Sequence, residues 1–146
     1  MKNPSQKPRN LLIHGPLLEA EVYQNEFSFL AVKNNLANSP FAKVKLMVDT
    51  GSNISGLDRS IIQRLQLSQY TDRALVDGVG GMHSTGRYKC ILFLPIFGSK
   101  GLPLDVLEGH FTQGNYHGVI GRDVLQYCRF VYNGPQNQFE LTAIDF

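Results

Sequence analysis

Short apolar runs of period two dominate the chain from Leu17 onward, and runs of that period fold as half-buried strands. Leu18, Ala20 and Val22 alternate with Glu19, Glu21 and Tyr23, and Phe27, Phe29 and Ala31 continue the pattern as the second arm of an opening hairpin. After an Asn-rich loop ending at Pro40, Val44, Leu46 and Val48 mark another strand. Residues 73–79 and 85–97 flank a glycine-rich turn and read as a second hairpin, with Pro95 expected at an edge or bulge. Strands at 102–107, at 130–132 and at 139–144 follow, the last two joined by Asn133-Gly134-Pro135. Helical spacing is confined to about 59–67, with Asp58 as N-cap and Ile61, Ile62 and Leu65 on one face, and to a short stretch near 122–127. The expected fold is mainly β with one or two short helices.

A chain of 146 residues suffices for one core, so residues 11–146 are expected to form a single domain. Residues 1–10, with Lys2, Lys7, Arg9, Pro4 and Pro8 and no apolar period, read as a flexible tail. A net charge of +2 gives no reason to expect nucleic acid as a partner. Nothing approaches the roughly 20 apolar residues of a membrane span. Leu11-Leu12-Ile13 is interrupted by His14-Gly15-Pro16, which argues against a signal peptide and for a cytoplasmic protein. Cys90 and Cys128 lack metal-ligand spacing, so neither metal nor cofactor is expected, and both read as half-buried thiols.

Three segments stand out for chemistry. The run Val44-Lys45-Leu46-Met47-Val48 stops at Asp49-Thr50-Gly51-Ser52, an acid set among hydroxyls and a glycine that lets the chain fold back so that amides reach the carboxylate. Taken alone, it also reads as a strand-ending Asx turn. Gly78, Val79, Gly80, Gly81 and Met82 form a glycine-rich tip between two strands, suited to a mobile lid or to an ordinary hairpin; a phosphate loop would need a following lysine and helix. Val119-Ile120-Gly121-Arg122-Asp123 joins a strand to a helix. Asp123 is a second carboxylate, although an acid in a helix's first turn already has a sufficient structural role.

In this order the three segments resemble the retropepsin-like aspartic peptidases, over about 17–144, and the closing 129–135 is similar to bacterial predicted aspartyl peptidases of that group. The resemblance implies a closed acid-protease barrel acting as an endopeptidase. Asp49, Thr50 and Gly51 would be the catalytic loop, Gly78 to Met82 the flap over an extended peptide or protein substrate, and Gly121, Arg122 and Asp123 structural support. The Asp-Thr-Gly occurs once, whereas attack by activated water on an amide needs two carboxylates, so a homodimer with one Asp49 from each subunit follows. Thr50 would link the two loops at the dimer axis. The C-terminal hairpin is the first choice for its interface, since its apolar residues need cover. Two departures matter: Asn53 stands where many relatives place an aspartate for the arginine, so Arg122 needs a backbone carbonyl or another acid. Ser52 stands where alanine is common. A Ser52 hydroxyl donating to Asp49 would favour the charged carboxylate, and its removal would move the acidic limb of a pH–rate profile upward. A non-catalytic module for dimerisation or peptide binding is the alternative; a phosphoryl-transfer aspartate lacks the lysine and clustered acids it would need.

Overall fold

A computed structural model describes residues 10–78, 81–111 and 114–144, with backbone alone for 10, 70–78 and 81–84. Strand β1 (Leu17–Tyr23) lies antiparallel to β2 (Phe41–Val48) in unbroken register, from Leu17 opposite Met47 to Tyr23 opposite Phe41. The alternation sets the faces: Leu18, Ala20 and Val22 are buried opposite Leu46, Val44 and Ala42, while Glu19 faces Lys45 and Glu21 faces Lys43 on the other side. Opposite charges across a ladder add modest support, and a one-residue slip would turn the apolar set outward.

The ladder continues into a ring. β2 pairs in parallel with β7 (Gly118–Ile120), which runs antiparallel to β3 (Gly56–Asp58). β3 pairs in parallel with β6 (Leu102–Gly109), β6 antiparallel with β5 (Gly81–Phe93), and β5 returns to β1 through Glu21 opposite Phe93. These six strands close the barrel, and β4 (Ser68–Gly78) extends outside the ring on β5. Leu18, Leu46, Leu57, Leu92, Val106 and Ile120 fill the interior. Each such side chain taken fully from water contributes roughly 1.5–3 kcal/mol.

Gly118 is dictated by the β3–β7 contact. A methyl group placed there would lie 2.2 Å from the Gly56 carbonyl oxygen, a backbone atom with no rotamer to yield. Gly118→Ala is therefore expected to lower unfolding stability by about 2 kcal/mol. A denaturant midpoint equal to the parent's would show that the two strands can separate without penalty.

Four short α-helices occur among the described residues, more than the one or two expected. Helix α1 (Asn10–His14) precedes β1, α2 (Glu26–Lys33) joins β1 to β2, α3 (Arg59–Leu65) follows β3, and α4 (Arg122–Leu125) follows β7. Helix α3 matches its prediction, with Asp58 as N-cap and Ile61, Ile62 and Leu65 buried. Helix α2 replaces the expected second arm of the first hairpin. The Asn25 side chain accepts from the Ser28 amide, Asn35 takes a left-handed φ of 55°, and the Leu36 amide donates back to the Ala31 carbonyl. That cap at each end outweighs the apparent alternation of Phe27, Phe29 and Ala31. Phe29 packs edge-on against Tyr23 at 5.1 Å, whereas Phe27 is 81% exposed.

Strand β5 ends at Phe93, and Pro95 opens a 3₁₀ turn, Pro95–Phe97, at the strand's end. The C-terminal hairpin, β8 (Cys128–Asn133) with β9 (Gln138–Ala143), is a separate two-stranded sheet. Its Phe139 and Leu141 are buried in this chain's own core, whereas Tyr132 and, just past β9, Ile144 are exposed. Cys90 is buried, beyond the half-burial expected, and burial, with Asp105 and Asp123 nearby, pushes its thiol up to about 12. Cys128 remains half-buried and free. No helix among the described residues is long and apolar enough to cross a membrane.

Candidate active site

Two strand ends meet because β2 and β7 are parallel. Met47 lies beside Val119 and Val48 beside Ile120, so Asp49 and Gly121 leave the barrel side by side. The Asp49 amide donates to the Ile120 carbonyl at 2.8 Å, carrying the ladder one residue past the strand. The chain then turns sharply: the Ser52 amide reaches the Asp49 carbonyl at 3.2 Å, and the Gly51 amide donates to Asp49 Oδ1 at 3.0 Å. Asp49 is half-buried, with Thr50 and Gly51 exposed beside it. Among the described residues, no hydrogen bond is donated to Oδ2.

The 121–123 segment fixes this loop through five hydrogen bonds. The Arg122 amide donates to the Ser52 carbonyl at 2.8 Å, and the Arg122 guanidinium to the Thr50 carbonyl at 2.7 Å. With Asn53 in place of an acid, the arginine takes a backbone carbonyl, one of the two partners expected for it. Asp123 accepts from the Ser55 amide at 2.9 Å and from the Ser55 hydroxyl at 2.7 Å, and that hydroxyl accepts from the Gly121 amide at 3.0 Å. Gly121 admits no side chain, because an added Cβ would fall 2.8 Å from the Ser52 carbonyl oxygen. Asp123 Oδ1 also accepts from the Val124 amide within its own helix at 2.9 Å. Its carboxylate is therefore engaged in bracing the loop, and its place is not opposite Asp49.

Ser55 is the residue that sequence reasoning missed. It is buried and polar, directly before the buried strand Gly56–Asp58, and a hydroxyl in that position needs a partner. That requirement was the available signal. Ser52 requires a correction: its hydroxyl donates to the Ile54 carbonyl at 2.6 Å, not to Asp49. A hydroxyl has one proton, and the sharp turn points it back along the chain. Ser52→Ala is accordingly expected to leave the acidic limb of a pH–rate profile where it is and to remove about 1 kcal/mol of stability. Parallel pH profiles and thermal melts of the two proteins check both halves.

Of the glycine-rich tip, Gly78 and Gly81 are paired as the last rung of the β4–β5 ladder, with Met82 opposite Asp77. Val79 and Gly80 lie outside the described residues. Among the described residues, no three His, Cys, Asp or Glu side chains gather as a metal site.

No protein-family model matches the sequence, and no curated protein does. By structure the chain is similar to EIAV protease complexed with the inhibitor HBY-793, with a TM-score of 0.53 and 18% identity over 80% of this chain and 89% of that one. The fold is retropepsin-like. A retropepsin-like aspartic protease from Rickettsia conorii also aligns, at a TM-score of 0.49 and 18% identity over 86% of this chain and 91% of that one. So does the retroviral protease-like domain of Ddi1 from Leishmania major, at 0.48 and 19% identity over 89% and 90%. In this barrel the Asp49 turn brings together a half-buried acid, the exposed backbone of Thr50 and Gly51, and the Arg122 guanidinium on the Thr50 carbonyl.

Proposed function

We propose that this chain is an aspartic endopeptidase that acts as a homodimer, with Asp49 of each subunit on one water molecule. One observation carries the reading. Asp49 sits half-buried at a strand end, one carboxylate oxygen held by the Gly51 amide, on a turn braced from Gly121, Arg122 and Asp123. A turn without chemistry has no need of that bracing around an acid. Asp123, the other carboxylate nearby, is engaged with Ser55, so the second acid must come from another chain.

In this mechanism one Asp49 removes a proton from the water as it attacks the scissile carbonyl, and its mate gives a proton to the carbonyl oxygen. The intermediate is a neutral gem-diol, with no bond between enzyme and substrate. It collapses as the first Asp49 passes its proton to the amide nitrogen and its mate takes one back from a diol hydroxyl, so that the C–N bond breaks to a carboxylic acid and an amine. Like charges at close range cannot both ionise cheaply, so the pair holds one proton between them. Thr50 would lie at the axis. Gly78 to Met82 would close as a flap, its backbone holding the substrate as an extended strand while water is excluded.

The test is a mixed peptide library incubated with the parent protein from acid to neutral pH. Expected are cleavage within extended apolar segments, a rate per molecule that rises with protein concentration, and inhibition by a pepstatin-like compound. Peptide retained without cleavage under every condition would replace the reading with a non-catalytic peptide-binding module.

A further inference from the structure

We propose that His117 is a positioning residue for the Asp49 turn, holding β7 against β2 through a ring nitrogen that must be free of a proton. Its effect on rate rests on the endopeptidase reading above, whereas its effect on the turn rests on geometry alone. β7 is three residues long, so the bonds that close its two ends decide how it lies on β2. One end is closed by the Asp49 amide on the Ile120 carbonyl at 2.8 Å. His117 closes the other. Its amide donates to the Lys45 carbonyl at 2.7 Å, its carbonyl accepts from the Asp58 amide at 2.7 Å, and its Nδ1 accepts from the Lys45 amide at 2.9 Å. One residue thus joins β2, β3 and β7.

A backbone amide can only donate, so the neutral ring carries its proton on Nε2, and a second proton on Nδ1 would set two N–H groups against each other. His117 is exposed, and water can deliver that proton. The charged groups around it offset one another: Glu19 and Glu21 of β1 line one cleft with it, together with Lys43 and Lys45 of β2. The Asp58 carboxylate is turned to Ser60 and Phe111, and His14 lies against the Asn115 side chain. Imidazoles ordinarily gain their second proton between about pH 8 and 5, a range that assays from neutral to acid conditions cross. Above it, the ring holds the Lys45 amide. Below it, β7 loses one of its end bonds, and Gly121 and Arg122, which follow Ile120 directly, are set less firmly against the Asp49 turn.

Titration by nuclear magnetic resonance from about pH 8 to 5 tests this with the parent and with His117→Asn, whose side-chain oxygen stands in for Nδ1 as an acceptor that does not titrate. At the neutral end the parent's ring should carry its proton on Nε2. On acidification the amide signals of Lys45, Asp49 and Gly51 should move with the ring's own titration, a step that the variant should lack. The parent's kcat/KM should match the variant's at the neutral end and fall to roughly a third of it or less at the acid end, the scale of one exposed hydrogen bond. His117→Ala should do the reverse, lying below the parent at the neutral end and level with it at the acid end. A neutral ring protonated on Nδ1, or Asp49 and Gly51 signals indifferent to the ring's titration, overturns the assignment and leaves the endopeptidase intact. So does a parent-to-variant ratio of kcat/KM that stays flat with pH. If no peptide is cleaved under any condition, the endopeptidase reading falls, and the amide signals alone decide for or against His117. If His117→Asn fails to fold, the parent's signals decide in the same way.

Discussion

Asp49→Asn should lower kcat/KM for any cleaved peptide by roughly 10²–10⁴-fold, the range that a positioned acid/base group contributes. An amide cannot take the proton from water, whereas nearly everything structural about the turn survives the change. The Asn side-chain oxygen can still accept the Gly51 amide, and the backbone bonds from Asp49 to Ile120 and from Ser52 to Asp49 do not involve the substituted atoms. The variant should therefore melt with the parent. A second measurement separates one carboxylate from two: adding excess variant to a fixed amount of parent should draw parent subunits into mixed pairs and suppress activity in proportion. Activity that holds steady as variant is added, while mixed pairs are detected, would mean that a single Asp49 suffices.

The second large effect concerns stability. Asp58 is 2% exposed, yet its carboxylate is surrounded by donors: the Ser60 amide at 3.0 Å, the Ser60 hydroxyl and the Phe111 amide at 2.8 Å. It thus caps α3 and ties the loop after β6 to the end of β3. Asp58→Ala removes an N-cap and strands two backbone amides, a loss of about 3–4 kcal/mol. Burial opposes ionisation of this acid, but hydrogen bonds from Ser60 and Phe111, with the charge of His110, hold its pKa below the ordinary value. The sign follows directly. Asp58 contributes its full stabilisation above the unfolded carboxylate value of about 4, and the contribution is lost as pH falls below that through the lower folded value. Between neutral pH and about 4 the difference in unfolding free energy between parent and Asp58→Ala should be constant, then narrow in stronger acid. Denaturant melts at fixed protein concentration would show this, and a gap that widens on acidification contradicts it.

The strands were legible because one face of each is buried. Leu18, Ala20 and Val22, or Val44, Leu46 and Val48, carry the period in their own sequence. Helix α3 was legible because Asp58 caps it and its apolar residues share one face. Helix α2 was not, since Phe27 and Leu30 stay in water, so its composition carries no helical stripe. The signal lay at its ends, in Asn25, Glu26, Asn34 and Asn35, which residue alternation does not weigh. β3 escaped notice for a different reason: three buried residues are too few to show any period. At the site, the order of motifs singled out Asp49 and the 119–123 segment, and the parallel pairing of β2 with β7 supplies the reason they belong together. The partners of individual protons were not legible. Ser52 turns to Ile54, and Ser55 links Gly121 to Asp123, because local turn geometry decides among neighbours that are chemically equivalent in the sequence.

The parallel β2–β7 pair also governs when the Asp49 turn can take its shape. Asp49 is held by Ile120, and Thr50 by Arg122, across about half the length of the chain. Such distant pairings close late, after the loop entropy of the intervening segment has been overcome. During synthesis from the N-terminus, a ribosome-bound chain carries Asp49 long before it carries the residues that shape its turn. A nascent fragment that lacks residues 120–123 consequently lacks the bonds that give the Asp49 turn its shape.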